Sequence, residues 1–202
     1  MYQLFSFPLS QHSRRVISLL EEVGIPYENH NINLMANEHM SESYLKINPN
    51  HKVPTFIDGD VKIHESNAIL RYLCIKHQLF DWYPNNTKTV ANVEQWLDWN
   101  QCQLSPLVVD IVLNRMILGA KGDQNVAIQA EKNIQLLFTI MEEHLECRKV
   151  FAGEHPTIAD LSLASNIFQL AFVNAMPTTA NISRWYKQIA ALKGFKKSLP
   201  QD

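Results

Sequence analysis

The 202-residue sequence is short of cysteine, glycine and net charge, and each shortage removes a class of protein. Its three cysteines, Cys74, Cys102 and Cys147, are widely spaced and form no CxxC pair. That spacing speaks against a disulfide framework and a dithiol redox centre; thiols in a reducing cytosol, buried as small core residues, fit better. Six glycines form no phosphate loop. The eight histidines make no pair at ligand spacing beside a cysteine or acidic cluster, so no metal is expected. A net charge of −2 gives no reason to expect nucleic acid or a membrane surface as a partner. The basic run over residues 193–197 is too short to change this. The longest apolar stretch, residues 104–118, is broken by Asp110, Asn114 and Arg115 and reads as no membrane span. The first residues, Met1-Tyr2-Gln3-Leu4-Phe5, lack a charged leader, so no secretory signal is expected and a cytoplasmic location follows. Internal repeats and low-complexity tracts are missing too.

What is there is a core, with 46% apolar residues, and two halves with different patterns. Residues 2–7 alternate as a strand and Pro8 ends it. Val16, Ile17, Leu19, Leu20 and Val23 form a helical stripe, stopped by Gly24 and Pro26. Residues 27–32 predict a second strand, parallel to the first. Residues 35–39 read as polar loop and 41–47 as one short helix. Thr55-Phe56-Ile57 and Val61-Lys62-Ile63 predict a hairpin, turning at Asp58-Gly59. A helix follows over 67–77, with Ser66 as its N-cap. The order is β-α-β-α-β-β-α. Residues 78–87, centred on Pro84-Asn85-Asn86, read as a linker. Beyond it no strand pattern occurs. Long helical patterns cover 89–118, with Pro106 as a kink, and 125–146. Thr157 and Asp160 have capping-box spacing, and a last helix covers 182–192. The expected class is α+β, with residues 1–79 as one domain and 86–202 as an all-helical second.

The most informative stretch is Asn48-Pro49-Asn50-His51-Lys52-Val53-Pro54, with Glu65-Ser66 behind the hairpin. Proline cannot donate to a sheet ladder, so Pro54 belongs at the start or edge of a strand. The Val53 backbone is then free to meet an extended peptide. Glu65 can hold an ammonium, and a helix start at Ser66 attracts a carboxylate. Together these suit a small zwitterionic peptide.

These residues resemble the glutathione site of cytosolic glutathione S-transferases. Ser10-Gln11-His12-Ser13-Arg14, Gly24-Ile25-Pro26, Asp81-Trp82-Tyr83-Pro84, Val93-Glu94-Gln95-Trp96-Leu97-Asp98-Trp99 and Thr157-Ile158-Ala159-Asp160 stand where theta-type members carry similar runs. The resemblance covers nearly the whole chain. It implies a thioredoxin-like first domain and conjugation of the glutathione thiolate to soft electrophiles. It also implies glutathione as co-substrate, a homodimer, a role in detoxification and a cis Val53-Pro54 bond. Ser10, read alone, is a plain N-cap serine. The resemblance makes it the catalytic residue, because tyrosine- and cysteine-type members carry residues that this stretch lacks. Ser13 is a nearby competitor that would face elsewhere, and Arg14 is a surface charge or a site organiser. His39, His51 and Lys52, each by itself ordinary loop polarity, become candidates for the glycine carboxylate. Val53, Glu65 and Ser66 become candidates for the peptide backbone and γ-glutamyl end. The long helix reads Asn100-Gln101-Cys102-Gln103 where many members place an acid for the partner subunit's ligand. A non-catalytic binding or interaction module of the same fold is the alternative.

Overall fold

The structure, a computed structural model, describes residues 1–200 and divides into two compact units. Among the described residues, the first holds Met1–Leu79 together with residues 191–200. Its sheet is built from β1 (Tyr2–Ser6), β2 (Tyr27–Asn31), β3 (Thr55–Asp58) and β4 (Val61–His64), in the order β2-β1-β3-β4. β1 pairs parallel with β2, and the β1–β3 and β3–β4 pairs are antiparallel. Met1–Leu79 supplies the helices α1 (Gln11–Val23), α2 (Glu42–Leu45) and α3 (Ser66–Lys76). The mixed βαβαββα arrangement is the one expected.

Local chemistry explains the elements. The apolar stripe of α1 buries Val16, Leu19 and Leu20, and Gly24 closes the helix in the left-handed region at φ 71°. α1 packs on α3, whose Ile69, Leu70 and Leu73 are fully buried. The register pairs Asp58 with Val61, so the hairpin turns on Gly59-Asp60, one residue later than the sequence suggested. The left-handed φ of 61° falls on Gly59, the residue that takes it without a Cβ clash. Residues read as polar loop contain two tight turns, Leu34–Ala36 and Glu38–Met40; Asn33 Oδ1 caps the first through the Met35 and Ala36 amides.

The second unit, Phe80–Ala190, is helical: α4 (Thr87–Trp99), α5 (Ser105–Val112), α6 (Gln124–Leu145), α7 (Ile158–Gln169) and α8 (Ala180–Ala190). The pattern over 89–118 is one continuous helical run, widened twice by π turns. A wide π turn at Asn100–Leu104 separates α4 from α5, immediately before Pro106. Proline lacks the N–H of the ladder and crowds the carbonyl four residues back, and a widened turn accommodates both. A second π turn, Leu113–Ile117, follows α5. Trp96 is buried against His144 and Phe151, and Phe151 meets Trp185 edge-on, so Trp96 is a core residue.

The tail, read above with the helical half, groups with the first unit. α9 (Lys193–Lys197) packs on α1. There the Gly194 amide donates to Glu22 at 2.5 Å, and Lys197 pairs with Glu21 at 2.7 Å. A Cβ on Gly194 would lie 2.1 Å from the Ser18 carbonyl oxygen, so only glycine permits this approach. The cysteines divide too: Cys74 is buried, and its thiol is pushed up to about 12 by burial, whereas Cys102 and Cys147 are exposed and are not core residues. Among the described residues, no helix is long and apolar enough to cross a membrane and no side-chain cluster could hold a metal ion.

Candidate active site

The sheet register gathers the candidate residues at one end. Ser6, at the end of β1, pairs with Asn31 at the end of β2; Phe5 pairs with Thr55 at the start of β3; Thr55 pairs with His64 at the end of β4. Four chain segments therefore leave or join the sheet on the same side. They lead to Ser10, to the His39 segment, from Val53, and to Glu65-Ser66.

Ser10 N-caps α1 with extended backbone (φ −80°, ψ 118°), and its N–H donates to the Phe7 carbonyl at 2.9 Å. Its Oγ accepts the Ser13 N–H at 3.2 Å. Among the described residues nothing accepts the Ser10 hydroxyl proton. Ser13 is fully buried, and its Oγ accepts the Phe7 N–H at 3.2 Å, which ties the helix back to the end of β1. The two serines differ in exposure: each hydroxyl oxygen accepts a backbone N–H, but Ser13 faces inward as a staple whereas Ser10 is partly exposed. Between them His12 is held well below the usual imidazole range, first by burial and then by the charges of Arg15 and Lys52.

The Lys52–Thr55 segment is held from behind. Tyr44 Oη donates to the Lys52 carbonyl at 2.7 Å, and Asn48 Nδ2 donates to the same oxygen at 2.9 Å. Both also reach Thr55 Oγ1, at 3.0 and 2.9 Å. Asn48 Oδ1 closes the preceding turn on the Asn50 amide. Burial raises the Tyr44 hydroxyl, keeping it a neutral donor. Val53-Pro54 is cis, as the resemblance implies. Among the described residues no hydrogen bond reaches the Val53 amide or carbonyl. His51 sits at φ 57°, a left-handed conformation uncommon outside glycine, in which asparagine, aspartate and histidine are enriched. His51 Nδ1 and His39 Nδ1 are buried and make no hydrogen bond to the described residues, while Lys52 is exposed.

The start of α3 departs from expectation. Ser66 is not the N-cap: that position belongs to Glu65, at φ 69° and ψ 110°, with no side-chain cap. The Ser66 hydroxyl is engaged by a residue that sequence reasoning passed over. Arg15, completely buried on α1, donates from Nη1 to Ser66 Oγ at 3.2 Å and to Asn67 Oδ1 at 3.4 Å. Burial pulls its guanidinium down to about 9, partly offset by Glu65. A signal for Arg15 existed: it stands four residues before Leu19, on the buried stripe of α1. Asn48 opens the informative stretch without showing its role there, and Tyr44 and Asn67 left no comparable signal.

A mixed four-stranded sheet with a cis-proline segment and an uncapped helix start at one end, joined to a helical unit, defines a thioredoxin-like protein with a helical C-terminal partner. Residues 1–74 match the glutathione S-transferase N-terminal domain, and residues 104–193 match its C-terminal domain. Glutathione S-transferase 2 of Anopheles gambiae is 31% identical over 196 residues, covering 95% of this chain and 91% of that protein. Glutathione transferase F2 of Populus trichocarpa superimposes with a TM-score of 0.88 at 28% identity, over 98% of this chain and 97% of that one. Human glutathione transferase theta-2, solved in complex with glutathione and an unknown ligand, gives 0.87 at 26%, over 98% and 86%. The chain belongs to the glutathione S-transferase family.

Proposed function

We propose that this protein is a serine-type, theta-like glutathione transferase, adding the glutathione thiolate to soft electrophiles in detoxification. The observation that carries the reading is the Ser10 hydroxyl, whose oxygen already accepts the Ser13 N–H and whose proton remains to be donated. A hydroxyl that accepts one hydrogen bond is polarised toward giving another. A free thiol titrates near ~8.5, so only about 3% is thiolate at pH 7. Bringing it to about 7 takes roughly 2 kcal/mol, within the range of about 1.5–3 kcal/mol for one hydrogen bond to a charged group. Ser10 stabilises the nucleophile, aided by the positive end of α1, and does not attack.

In this reading the glutathione backbone pairs with Val53, whose amide and carbonyl are unused and whose segment is braced by Tyr44 and Asn48. Glu65 takes the γ-glutamyl ammonium, and Ser66 with the α3 amides takes the adjacent carboxylate. Lys52, His39 and His51 serve the glycine carboxylate. Glutathione is the co-substrate and no metal takes part. The functional unit is a cytoplasmic homodimer, with no nucleic acid or membrane as partner.

The test is Ser10→Ala. Glutathione affinity by calorimetry should stay nearly intact. Turnover at pH 7 should fall about tenfold or more, with partial recovery by pH 9 as the bound thiol ionises unaided. Ser13→Ala should leave the pH–rate profile unmoved. A profile shifted only by Ser13→Ala would reassign the catalytic hydroxyl. Glutathione binding without turnover across halide, epoxide and peroxide substrates would instead support a non-catalytic module.

A further inference from the structure

We infer that Arg15 is a positioning residue for the carboxylate subsite at the start of α3: from inside the first unit it fixes Ser66 and Asn67 and lends the subsite its positive charge. The inference rests on the glutathione reading above and deepens it.

A cation behind a helix start is electrostatically the wrong way round. The exposed amides of a helix N-terminus carry a partial positive charge, and acidic side chains usually gather there. The first turn of α3 contains none. Instead, the fully buried Arg15 guanidinium donates to the side chains of its first two residues, Ser66 and Asn67, at 3.2 and 3.4 Å. Arg14, its neighbour on α1, is buried as well. A second group registers the same field: the His12 imidazole is kept neutral by burial, with Arg15 and Lys52 adding to the effect. The counter-charge on this side is Glu65, which opposes the burial of Arg15 from the exposed residue before the helix.

Burying a cation this way is costly unless its charge serves something. An incoming carboxylate on the α3 amides would meet the helix dipole, the Ser66 hydroxyl and the Arg15 charge together. Arg15 also fixes which way Ser66 acts. Because Ser66 Oγ accepts from the guanidinium, its proton is directed away from Arg15 and is available to the ligand. A planar guanidinium holds both acceptors at once, which a lysine ammonium on its flexible stem does less well.

The experiment compares two probes by calorimetry at pH 7. They are S-methylglutathione and its analogue with the γ-glutamyl α-carboxylate replaced by a carboxamide. Blocking the thiol removes any contribution from its ionisation. Wild type should prefer the carboxylate probe. Arg15→Gln should cut that preference about tenfold, by weakening the carboxylate probe while leaving the carboxamide nearly unchanged, the size expected for one charge-assisted interaction. Arg15→Lys keeps the charge but not the fork and should retain part of the preference. It also supplies the reading should Arg15→Gln fail to fold. Equal weakening of both probes in Arg15→Gln, or a carboxylate preference wholly unchanged in Arg15→Lys when Arg15→Gln is unfolded, would reduce Arg15 to a structural role and overturn the inference. If wild type binds neither probe, the glutathione reading itself fails, a result distinct from either.

Discussion

Two helix starts in this protein solve the same problem in opposite ways. α7 begins with its orphan amides consumed by its own residues. Thr157 Oγ1 accepts the Ala159 N–H, and Asp160 Oδ2 accepts the Thr157 N–H at 2.8 Å and its hydroxyl at 3.1 Å. The other Asp160 oxygen takes the Phe151 N–H at 3.0 Å and Trp185 Nε1 at 2.8 Å. Every side chain in this knot is buried. α3 begins with Glu65 in a left-handed conformation, no side-chain cap, and a cation behind its first turn. The first start is closed and carries architecture. The second is left open, and the difference shows how a helix terminus is read: by whether its donors are already taken.

The comparison is broken most severely at the closed end. Asp160→Ala would leave the Thr157 amide, the Phe151 amide and the Trp185 indole N–H buried and unsatisfied. At about 1–3 kcal/mol per stranded donor, the loss should be about 3 kcal/mol or more. For a chain of this size that lowers the melting temperature by about 6–12 °C. A melt within 2 °C of wild type, on the order of a neutral surface change, would mean that the knot is not structural.

The open end should respond the other way round. Glu65 is exposed and caps no amide. Glu65→Ala should therefore lower the melting temperature less than Asp160→Ala, the loss being its attraction to the buried Arg15, while weakening glutathione by about 1.5–3 kcal/mol, the loss of one charge-assisted bond. Differential scanning and titration calorimetry together check both halves. Unchanged affinity would remove Glu65 from the site.

The smallest expected effect separates two half-buried imidazoles. His12 beside Ser10 is held well below its usual range, by burial first and by Arg15 and Lys52 after that. His144, stacked on Phe151 in the second unit, is also lowered by burial, though its contact with the Phe151 carbonyl works against the shift. A histidine whose folded value lies below its unfolded one, near ~6.5, binds fewer protons when folded. Its contribution is therefore present above about pH 6.5 and lost as pH falls toward the folded value, at up to about 1.4 kcal/mol per pH unit per group. Melts between pH 7.5 and pH 5 should show this decline. His12→Gln should flatten it more than His144→Gln. Equal slopes in wild type and both variants would show that neither ring is kept neutral by the fold.

Much of this was legible beforehand because it rests on short-range rules. The β-α-β-α-β-β-α order follows from periodicity and from Gly24, Pro26 and Gly59 as punctuation. The capping box at Thr157 and Asp160 is spelled out by spacing alone. The Pro54 strand start follows from a missing N–H, and the motif around Val53 and Glu65-Ser66 carried the family resemblance. The misses have causes of longer range. Ser66 has the look of an N-cap, but an arginine 51 residues earlier in the chain takes its hydroxyl. Residues 193–197 look like a solvated basic run, but Gly194 lets them dock on α1 as a helix. The helix over 89–118 runs through as expected, and its two wide turns are what the local pattern does not show.

The sequence by itself therefore determined most of the secondary elements, the α+β class and the set of candidate residues, because each depends on neighbours within about a turn or a strand pair. Only the tertiary structure decided which of two serines is left partly exposed, which of two helix starts lacks a side-chain cap, and that Arg15 lies behind one of them. Those outcomes depend on which buried donor meets which acceptor across distant parts of the chain, and local patterning does not encode that pairing.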